Sequence, residues 1–291
     1  MRIWWLVASG WWLVAGLLSD LPNYQPPTTS RQPLTSSWYM SVFDRFIYYP
    51  EARLEATPAE FDLRYEDARF AAEDGVRLHG WWIPGRRPET LIWFHGNAGN
   101  ISHRLTNLRM LYDQVGVNVF IFDYRGYGLS EGDPSEAGLY ADARAALAYV
   151  RGRADVDKAR LVYFGRSLGS AVAVELARRQ PPSGLILETP FTSVRDMSSR
   201  LLPSALTVVV PSMFDNLAKV PELRCPKLFL HGDQDDLVPY AQGRQLYEAA
   251  PPPKAFFTIR GANHNDTFIV GGERYFQQIA KFIDGLRGEG D

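Results

Sequence analysis

The sequence predicts an α/β fold in which helices cover both faces of a mainly parallel central sheet. Two observations carry this prediction: apolar runs of strand length recur from residue 60 onwards, and helical patterns separate them. A strand that is apolar at almost every position is buried on both faces, as in a parallel sheet between two layers of helices. The chain has 291 residues without a visible internal repeat, and no second domain is needed to account for it.

The candidate strands alternate with the candidate helices along the chain. The strands are predicted at 76–83, 90–96, 118–126, 160–165, 184–190, 227–232 and 255–261. The helical patterns lie at 102–116, 136–153, 167–180, 240–250 and 275–287. In the pattern at 136–153, for example, apolar residues recur at i, i+3, i+4 and i+7. Ligands of such sheets bind at the carboxyl ends of the strands, so we expect the functional residues there.

Composition and motifs exclude several classes of function. The net charge of −2 and the pI near 6.2 offer no basic surface, so we expect no nucleic-acid partner. The single cysteine, Cys225, excludes an internal disulfide, and we expect it to be a small buried thiol. The sequence contains no H-E-x-x-H and no P-loop, and Gly126-Tyr127-Gly128 does not complete G-x-G-x-x-G. We therefore expect no metal and no cofactor.

Residues 1–20 form an apolar segment that predicts either a membrane anchor or a secretory signal peptide. The uncharged stretch Ile3–Leu18 would span about 24 Å as a helix, short of a bilayer core of about 30 Å, which favours a signal peptide. No A-x-A cleavage site follows it, and its tryptophans suit the membrane interface, which favours an uncleaved anchor. We expect the anchor, with an extracytoplasmic α/β domain because Arg2 precedes the segment. The alternatives are a secreted or periplasmic product after cleavage and a helix of the core.

Residues 21–59 are predicted to connect this segment to the α/β domain. The part at 21–37 is rich in proline and hydroxyl residues and indicates a linker. The part at 38–50, WYMSVFDRFIYYP, is aromatic and amphipathic, and we interpret it as a juxtamembrane segment on the membrane or on the domain surface. A first turn that packs onto the domain is the alternative. The α/β domain is then predicted to occupy 60–288.

The stretch Gly165-Arg166-Ser167-Leu168-Gly169 matches the G-x-S-x-G nucleophile elbow. It follows a predicted strand and opens a predicted helix, which is the context that this motif requires. A tight turn that happens to contain serine is the alternative. We predict that Ser167 is a nucleophile, because the strained turn would hold its side chain out at the carboxyl edge of the sheet.

A serine nucleophile needs a base, and the base needs a carboxylate that orients it. Among five histidines, His264 has the right chain order, after the nucleophile and after an acid. The other four are expected in a strand, in two structural His-Gly pairs and at an exposed helix start; they are His79, His95, His231 and His103. The residues themselves leave four acids open, namely Asp233, Asp235, Asp236 and Glu188.

Five motifs in order, HGNAGN, FDYRGYGLSEG, FGRSLGS, HGDQDDLVP and GANHND, resemble those of the α/β-hydrolase superfamily. More narrowly, the chain resembles membrane-anchored serine hydrolases that include the α/β-hydrolase-domain depalmitoylases, over roughly residues 60–288. The resemblance implies the α/β-hydrolase fold with a small cap between strands 6 and 7. It also implies Asp235 as the acid, His264 as the base, and backbone N–H groups of Asn97 and Leu168 as the oxyanion hole.

The resemblance implies a hydrolase that cleaves acyl esters or thioesters through an acyl-enzyme. The apolar cap region at 196–214 suits an acyl chain, so the expected partner is a small-molecule or lipid acyl substrate or an acylated protein. An aminopeptidase-like hydrolase is one alternative, with Glu188 or Asp123 binding a free α-amine. A non-catalytic binding module is another. The depalmitoylase group carries clustered cysteines at its N-terminus, and this chain has an apolar segment there instead.

Overall fold

In the computed structural model, the residues described are 47–198, 207 and 210–286, and within them eight strands form one sheet. The strand order is β1-β2-β4-β3-β5-β6-β7-β8. The strands are β1 Glu66–Ala71, β2 Arg77–Ile83, β3 Thr90–Phe94, β4 Asn118–Asp123, β5 Leu161–Arg166, β6 Gly184–Glu188, β7 Lys227–Gly232 and β8 Lys254–Ile259. All neighbours from β4 to β8 run parallel, while β2 is antiparallel to both β1 and β4. The predicted α/β-hydrolase fold is confirmed.

The helices connect the parallel strands and cover the sheet. Those in the described part are α1 Leu105–Gln114, α2 Glu136–Gly152, α3 Leu168–Arg179, α4 Val194–Ser198, α5 Asn216–Lys219, α6 Tyr240–Ala249 and α7 Thr267–Asp284. Helix α1 packs beside α7, and α2 packs beside α3. Strands β3, β5, β6 and β7 are buried along their whole length, as their uninterrupted apolar sequences predict.

Strand β1 was not among the predicted strands. It lies at the edge of the sheet, and its sequence EDARFA exposes most of its side chains. An edge strand pairs with only one other strand, and much of its surface faces solvent. It therefore lacks the apolar run by which a buried strand is recognised. The predicted sheet was therefore one strand too narrow.

The predicted cap region lies between β6 and β7, and the structure describes only part of it. Residues 199–206, 208 and 209 lie outside the described part, so the apolar middle of the cap region stays a prediction. Its carboxyl end is attached to the domain through Phe214. The backbone N–H of Phe214 donates to Oε1 of Glu136 at 2.9 Å, and its buried ring packs edge-on against Tyr48, Tyr140 and Phe191.

The predicted N-terminal segment at 1–20 and the linker at 21–37 also lie outside the described residues. Within the described ranges, none of the helices combines the length and the apolar character that crossing a bilayer requires. The described part of the aromatic segment packs against the domain, because Tyr48 is buried and the carbonyl of Tyr49 accepts a hydrogen bond from the N–H of Gly99.

Candidate active site

Ser167 occupies the sharp turn between β5 and α3. Its φ of 51° and ψ of −118° are strained for a residue with a side chain. A Cβ on Gly165 would lie 2.4 Å from the carbonyl oxygen of Gly169, and a Cβ on Gly169 would lie 1.9 Å from that of Phe94. The two glycines of the motif are thus required by close packing of the strand, the turn and the helix.

The turn is fixed by hydrogen bonds on both sides of the serine. The N–H of Ser167 donates to the carbonyl of Glu188 at 2.9 Å, which ties the turn to the end of β6. The carbonyl of Ser167 accepts from both the N–H and the hydroxyl of Ser170, at 2.9 and 2.6 Å. The Ser167 side chain is therefore presented from a rigid backbone.

The structure brings Ser167, His264 and Asp235 together from the ends of β5, β8 and β7. Nε2 of His264 lies 3.1 Å from Oγ of Ser167, and Nδ1 of the same ring lies 2.9 Å from Oδ2 of Asp235. Both His264 and Asp235 are buried. This geometry allows the imidazole to accept the serine proton while the carboxylate holds the ring with its proton on Nδ1.

The carboxylate of Asp235 is fully hydrogen-bonded. Its Oδ1 accepts from the backbone N–H groups of Leu237 and Val238 at 3.0 and 2.7 Å. Nε2 of His231 donates to the carbonyl of Val238 at 3.0 Å and lies 3.4 Å from Oδ2 of Asp235. Burial on its own would raise the pKa of Asp235, but hydrogen bonds to His231 and His264 outweigh it and hold the pKa well below its ordinary value.

The other three candidate acids have different partners. Glu188 is buried, accepts a hydrogen bond from the hydroxyl of Thr267, and lies 3.6 Å from Nε of Arg166. Asp233 accepts from the N–H of Gly261 at 2.7 Å and so closes a turn. Asp236 is exposed, and its N–H donates to the side chain of Asn263 at 3.1 Å. Of the four, Asp235 is the acid in contact with His264.

Arg166 holds the loop that carries His264. Its Nη2 donates to the carbonyl of His264 at 2.7 Å and to Oδ1 of Asn265 at 3.2 Å. The guanidinium thus joins the buried Glu188 to the backbone of the histidine loop. Neither Arg166 nor His231 was predicted to have a role in the site. The partners of Arg166 lie far along the chain. Asp235 is only four positions from His231, but no sequence motif marks their contact.

Of the two predicted oxyanion-hole residues, Leu168 directly follows Ser167 and Asn97 directly follows Gly96. Leu168 is the first residue of α3, where backbone N–H groups have no partner within the helix and the helix dipole is positive. A Cβ on Gly96 would lie 3.4 Å from Cβ of Ser167, so the loop that carries Asn97 runs beside the serine. Ala98 and Gly99 follow with φ of 66° and 71°, which turns this loop sharply.

Comparisons with known proteins identify the family of this chain. The family described as "Serine aminopeptidase, S33" (Hydrolase_4) matches residues 86–218. The α/β-hydrolase domain-containing protein WAV2 of Arabidopsis thaliana is 41% identical over 250 residues, which cover 78% of this chain and 81% of that protein. Protein bem46 of Schizosaccharomyces pombe is 36% identical over 294 residues, 93% of this chain and 97% of that protein. This chain belongs to the α/β-hydrolase superfamily.

Solved structures support the same fold. An esterase of Pyrococcus furiosus superposes with a TM-score of 0.69 at 23% identity, over 81% of this chain and 98% of that chain. An α/β hydrolase of Vibrio vulnificus superposes with a TM-score of 0.71 at 23% identity, over 90% and 98%. These similarities show the α/β-hydrolase fold, and the family match supports hydrolase activity for this α/β hydrolase.

A second buried cluster lies near the site but has structural partners. His95 is fully buried, its Nδ1 donates to the carbonyl of Gly96 at 2.8 Å, and its Nε2 lies 3.6 Å from Asp123. Burial, together with the positive charge of Arg104, lowers the pKa of His95 to about 3, so this ring is neutral at pH 7. Asp123 accepts from the N–H of Ile101 at 2.9 Å. These contacts agree with the structural role that the His-Gly pair predicts.

One group in the described part of the α/β hydrolase has the composition of a metal site: Glu51, Glu55 and His103. Nδ1 of His103 accepts a hydrogen bond from the N–H of Asn100 at 3.0 Å, so a neutral ring carries its proton on Nε2. That Nε2–H lies 3.7 and 3.4 Å from the two carboxylates. The ring thus has no lone pair directed at them, and the group is better explained as a histidine with two carboxylates nearby than as a metal site. The sequence predicted that His103 is exposed, but in the structure it is half-buried.

Proposed function

We propose that this α/β hydrolase is a serine hydrolase that cleaves acyl esters or thioesters through an acyl-enzyme. The observation that carries the proposal is the continuous hydrogen-bonded series from Ser167 through His264 to Asp235, with distances of 3.1 and 2.9 Å. A non-catalytic binding module would have no need for a strained serine in contact with a base that is itself held by a carboxylate.

In the acylation step, Oγ of Ser167 attacks the carbonyl carbon as Nε2 of His264 takes the hydroxyl proton. Asp235 stabilises the imidazolium that forms. Backbone N–H groups of Asn97 and Leu168 stabilise the oxyanion, an effect of roughly 3–4 kcal/mol per donor. The tetrahedral intermediate then breaks the bond to the alcohol or thiol, which receives the proton from His264.

Deacylation repeats this sequence with water. His264 takes a proton from the water molecule as its oxygen attacks the acyl carbon, and the bond between that carbon and Oγ breaks. Ser167 recovers its proton from His264, and the carboxylic acid leaves. The low pKa of Asp235 keeps its carboxylate ionised through both steps.

The distribution of exposed apolar side chains supports a lipid-like acyl substrate. Among the described residues, every exposed large hydrophobic side chain lies beside or after the carboxyl end of a strand; they are Tyr49, Leu129, Leu237, Ile269 and Val270. Leu237 follows Asp235 by two positions, and Ile269 lies in the first turn of the helix after His264. Together with the apolar sequence of the cap region, these side chains favour an acyl chain over a peptide.

An aminopeptidase is the second candidate, because the matching family is described by that activity. It would need a carboxylate available for a free α-amine. Both carboxylates considered for this purpose are fully buried and already bonded, Glu188 to Thr267 and Asp123 to the N–H of Ile101. The ester or thioester activity is therefore the better supported of the two.

The decisive experiment uses a fluorophosphonate probe, which labels an activated serine without a substrate having to be known. The wild-type protein should be labelled and should hydrolyse p-nitrophenyl butyrate, whereas Ser167→Ala should do neither. Ser183→Ala is the matched control, because that hydroxyl donates to the carbonyl of Leu161 at the amino end of β5. Labelling of Ser167→Ala at the wild-type rate would overturn the proposal.

We also propose that the N-terminal segment tethers the enzyme to a membrane, with the catalytic domain outside the cytoplasm, where it would meet lipid or acylated-protein substrates. The proposal rests on the uncharged stretch Ile3–Leu18 and on Arg2 before it. Membrane fractionation and mass spectrometry of the mature N-terminus test it. A soluble product that begins near Leu17 would show a cleaved signal peptide instead.

A further inference from the structure

Residues 47–55, which we call the strap, run along the loop 96–102 that follows β3. The N–H of Gly99 donates to the carbonyl of Tyr49 at 3.0 Å, and the N–H of Glu51 donates to the carbonyl of Gly99 at 3.2 Å. These paired bonds form an isolated parallel bridge, so the strap lies against the loop as a short strand would.

The side chain of Asn97 joins the loop to the strap a second time. Its Nδ2 donates to the carbonyl of Ile47, and its Oδ1 accepts from the N–H of Tyr49 at 3.2 Å. The amide therefore binds one donor and one acceptor of the strap backbone, as a backbone peptide group would. The hydroxyl of Tyr127 donates to the same Oδ1 at 2.8 Å and completes the set of partners.

Asn100 makes a similar connection further along the strap. Its Nδ2 donates to the carbonyls of Glu51 and Arg53, at 3.0 and 2.7 Å. Its Oδ1 accepts from the N–H of Ser102 at 2.9 Å, and the Ser102 hydroxyl in turn accepts from the N–H of Glu55 at 3.0 Å. Both ends of the loop are therefore held by the strap.

We infer that the strap is part of the catalytic machinery and that the Asn97 side chain is a positioning residue, which fixes the backbone N–H of the same residue in the oxyanion hole. The inference rests on the proposed function. The loop lies beside Ser167, since a Cβ on Gly96 would meet Cβ of Ser167 at 3.4 Å. A side chain bound at three points fixes its own Cα, and the N–H attached to that Cα can then not drift.

The oxyanion N–H acts only when charge develops on the substrate oxygen, so its position affects the transition state more than substrate binding. A displacement of about 1 Å in such a group can cost about 100-fold in rate. Loosening the strap should therefore lower kcat and leave KM nearly unchanged. If the strap contributed only to stability, its loosening would lower the amount of folded protein, and the folded fraction would keep the wild-type kcat.

The first test is Asn97→Asp in the full-length protein. Aspartate has nearly the same shape and keeps the acceptor for Tyr49 and Tyr127, but it loses the donor to Ile47 and places an oxygen against that carbonyl. We expect kcat for p-nitrophenyl butyrate to fall roughly 10- to 100-fold, with KM within about threefold of the wild-type value.

Two further variants make the test specific. Asn100→Asp keeps the cap on Ser102 but loses both donors to the strap, and it decides the outcome if Asn97→Asp does not fold. Asn118→Asp is the matched control, because Asn118 binds the N–H of Gly85 and the carbonyl of Arg87 in the same way at the amino end of β4. We expect Asn100→Asp to reduce kcat by at least about fivefold and Asn118→Asp to keep kcat within about twofold.

Three results would each overturn the inference. They are a wild-type kcat in both strap variants, a rise in KM with kcat unchanged, and a fall of kcat in Asn118→Asp equal to that in the strap variants. Ser167→Ala is measured beside them. If Ser167→Ala retains turnover, the proposed function fails. If Ser167→Ala is inactive while the folded strap variants keep wild-type kcat, the function stands and the role of the strap fails.

Discussion

Nε2 of His231 lies 3.4 Å from Oδ2 of Asp235, the same carboxylate oxygen that His264 contacts at 2.9 Å. Asp235 therefore has a second imidazole beside it. This ring belongs to strand β7, which precedes Asp235, whereas His264 lies in the loop after β8. Since Nε2 of His231 also donates to the carbonyl of Val238, this ring secures both the acid and the turn that follows it. The acid is thus held in one orientation before substrate arrives.

Replacement of the acid should abolish most of the activity. Asp235→Asn would present an amide N–H to His264 and favour the wrong tautomer, so we expect kcat to fall by about 10³- to 10⁴-fold. Steady-state kinetics with p-nitrophenyl butyrate measure this effect. Asp233→Asn is the matched control, because Asp233 closes a turn through Gly261, and it should keep kcat within about twofold. A larger loss in Asp233→Asn than in Asp235→Asn would contradict the assignment.

The depressed pKa of Asp235 predicts how stability depends on pH. A carboxyl whose pKa is lower in the folded state than its ordinary value of 3.8 stabilises the fold above that value. This contribution is lost as the pH falls towards the folded pKa. The difference in unfolding free energy between wild type and Asp235→Asn should thus be present at pH 5 and should shrink below about pH 4. Urea denaturation at a series of pH values measures it, and a difference that grows as the pH falls from about 4 to about 2 would contradict the prediction.

Arg166 should support both stability and catalysis, through different partners. Arg166→Met leaves the buried Glu188 carboxylate without its guanidinium, which should destabilise the fold by about 3–5 kcal/mol. Adding Glu188→Gln should recover much of this stability. It should not recover kcat, because the carbonyl of His264 still lacks its donor. Urea denaturation and kinetics on the single and double variants test this, and recovery of both quantities together would show that Arg166 acts on stability alone.

A series of acyl chain lengths tests the substrate class. Each methylene that enters an apolar site contributes about 0.8 kcal/mol, so kcat/KM should rise severalfold per added CH₂ until the site is full. Thioesters and aminoacyl-amides are measured beside the p-nitrophenyl esters. Ile269→Ser, at an exposed position after His264, should flatten the rise without affecting the acetate ester. A flat response in the wild type, with faster release of N-terminal residues, would contradict the lipid preference and favour the aminopeptidase.

The fold could be predicted from the sequence because the patterns that indicate it lie within short stretches of neighbouring residues. Buried parallel strands are apolar throughout, and β3 to β7 were found from that property. Ser167 was predicted from a motif of five residues whose glycines are required by close packing, as Gly165 and Gly169 show. The chain order and the resemblance to a family then selected His264 and Asp235, and the structure places both in contact. Their catalytic roles stay predictions until variants are measured.

Much of the rest of the site depends on contacts between residues far apart in the chain. His231 is an exception, because Asp235 is only four positions after it; the two face each other through the turn after β7, which the His-Gly pair does not predict. The bond from Arg166 to the carbonyl of His264 spans 98 positions. The bonds from Asn97 to the strap span 50 and 48 positions. Such pairings follow from the completed fold, so a single sequence gives no local signal for them.

The strap also changes where the smallest autonomous folding unit of this enzyme begins. A shortened protein that starts at residue 60, the boundary that the sequence suggests, would lack every partner that the strap gives to Gly99, Asn100 and Gly128. The loop 96–102 would then hydrogen-bond to water, which does not fix its shape. A version that starts before Ile47 keeps these partners. A shortened protein made for expression, or a domain exchanged between relatives, should therefore include the strap together with the sheet.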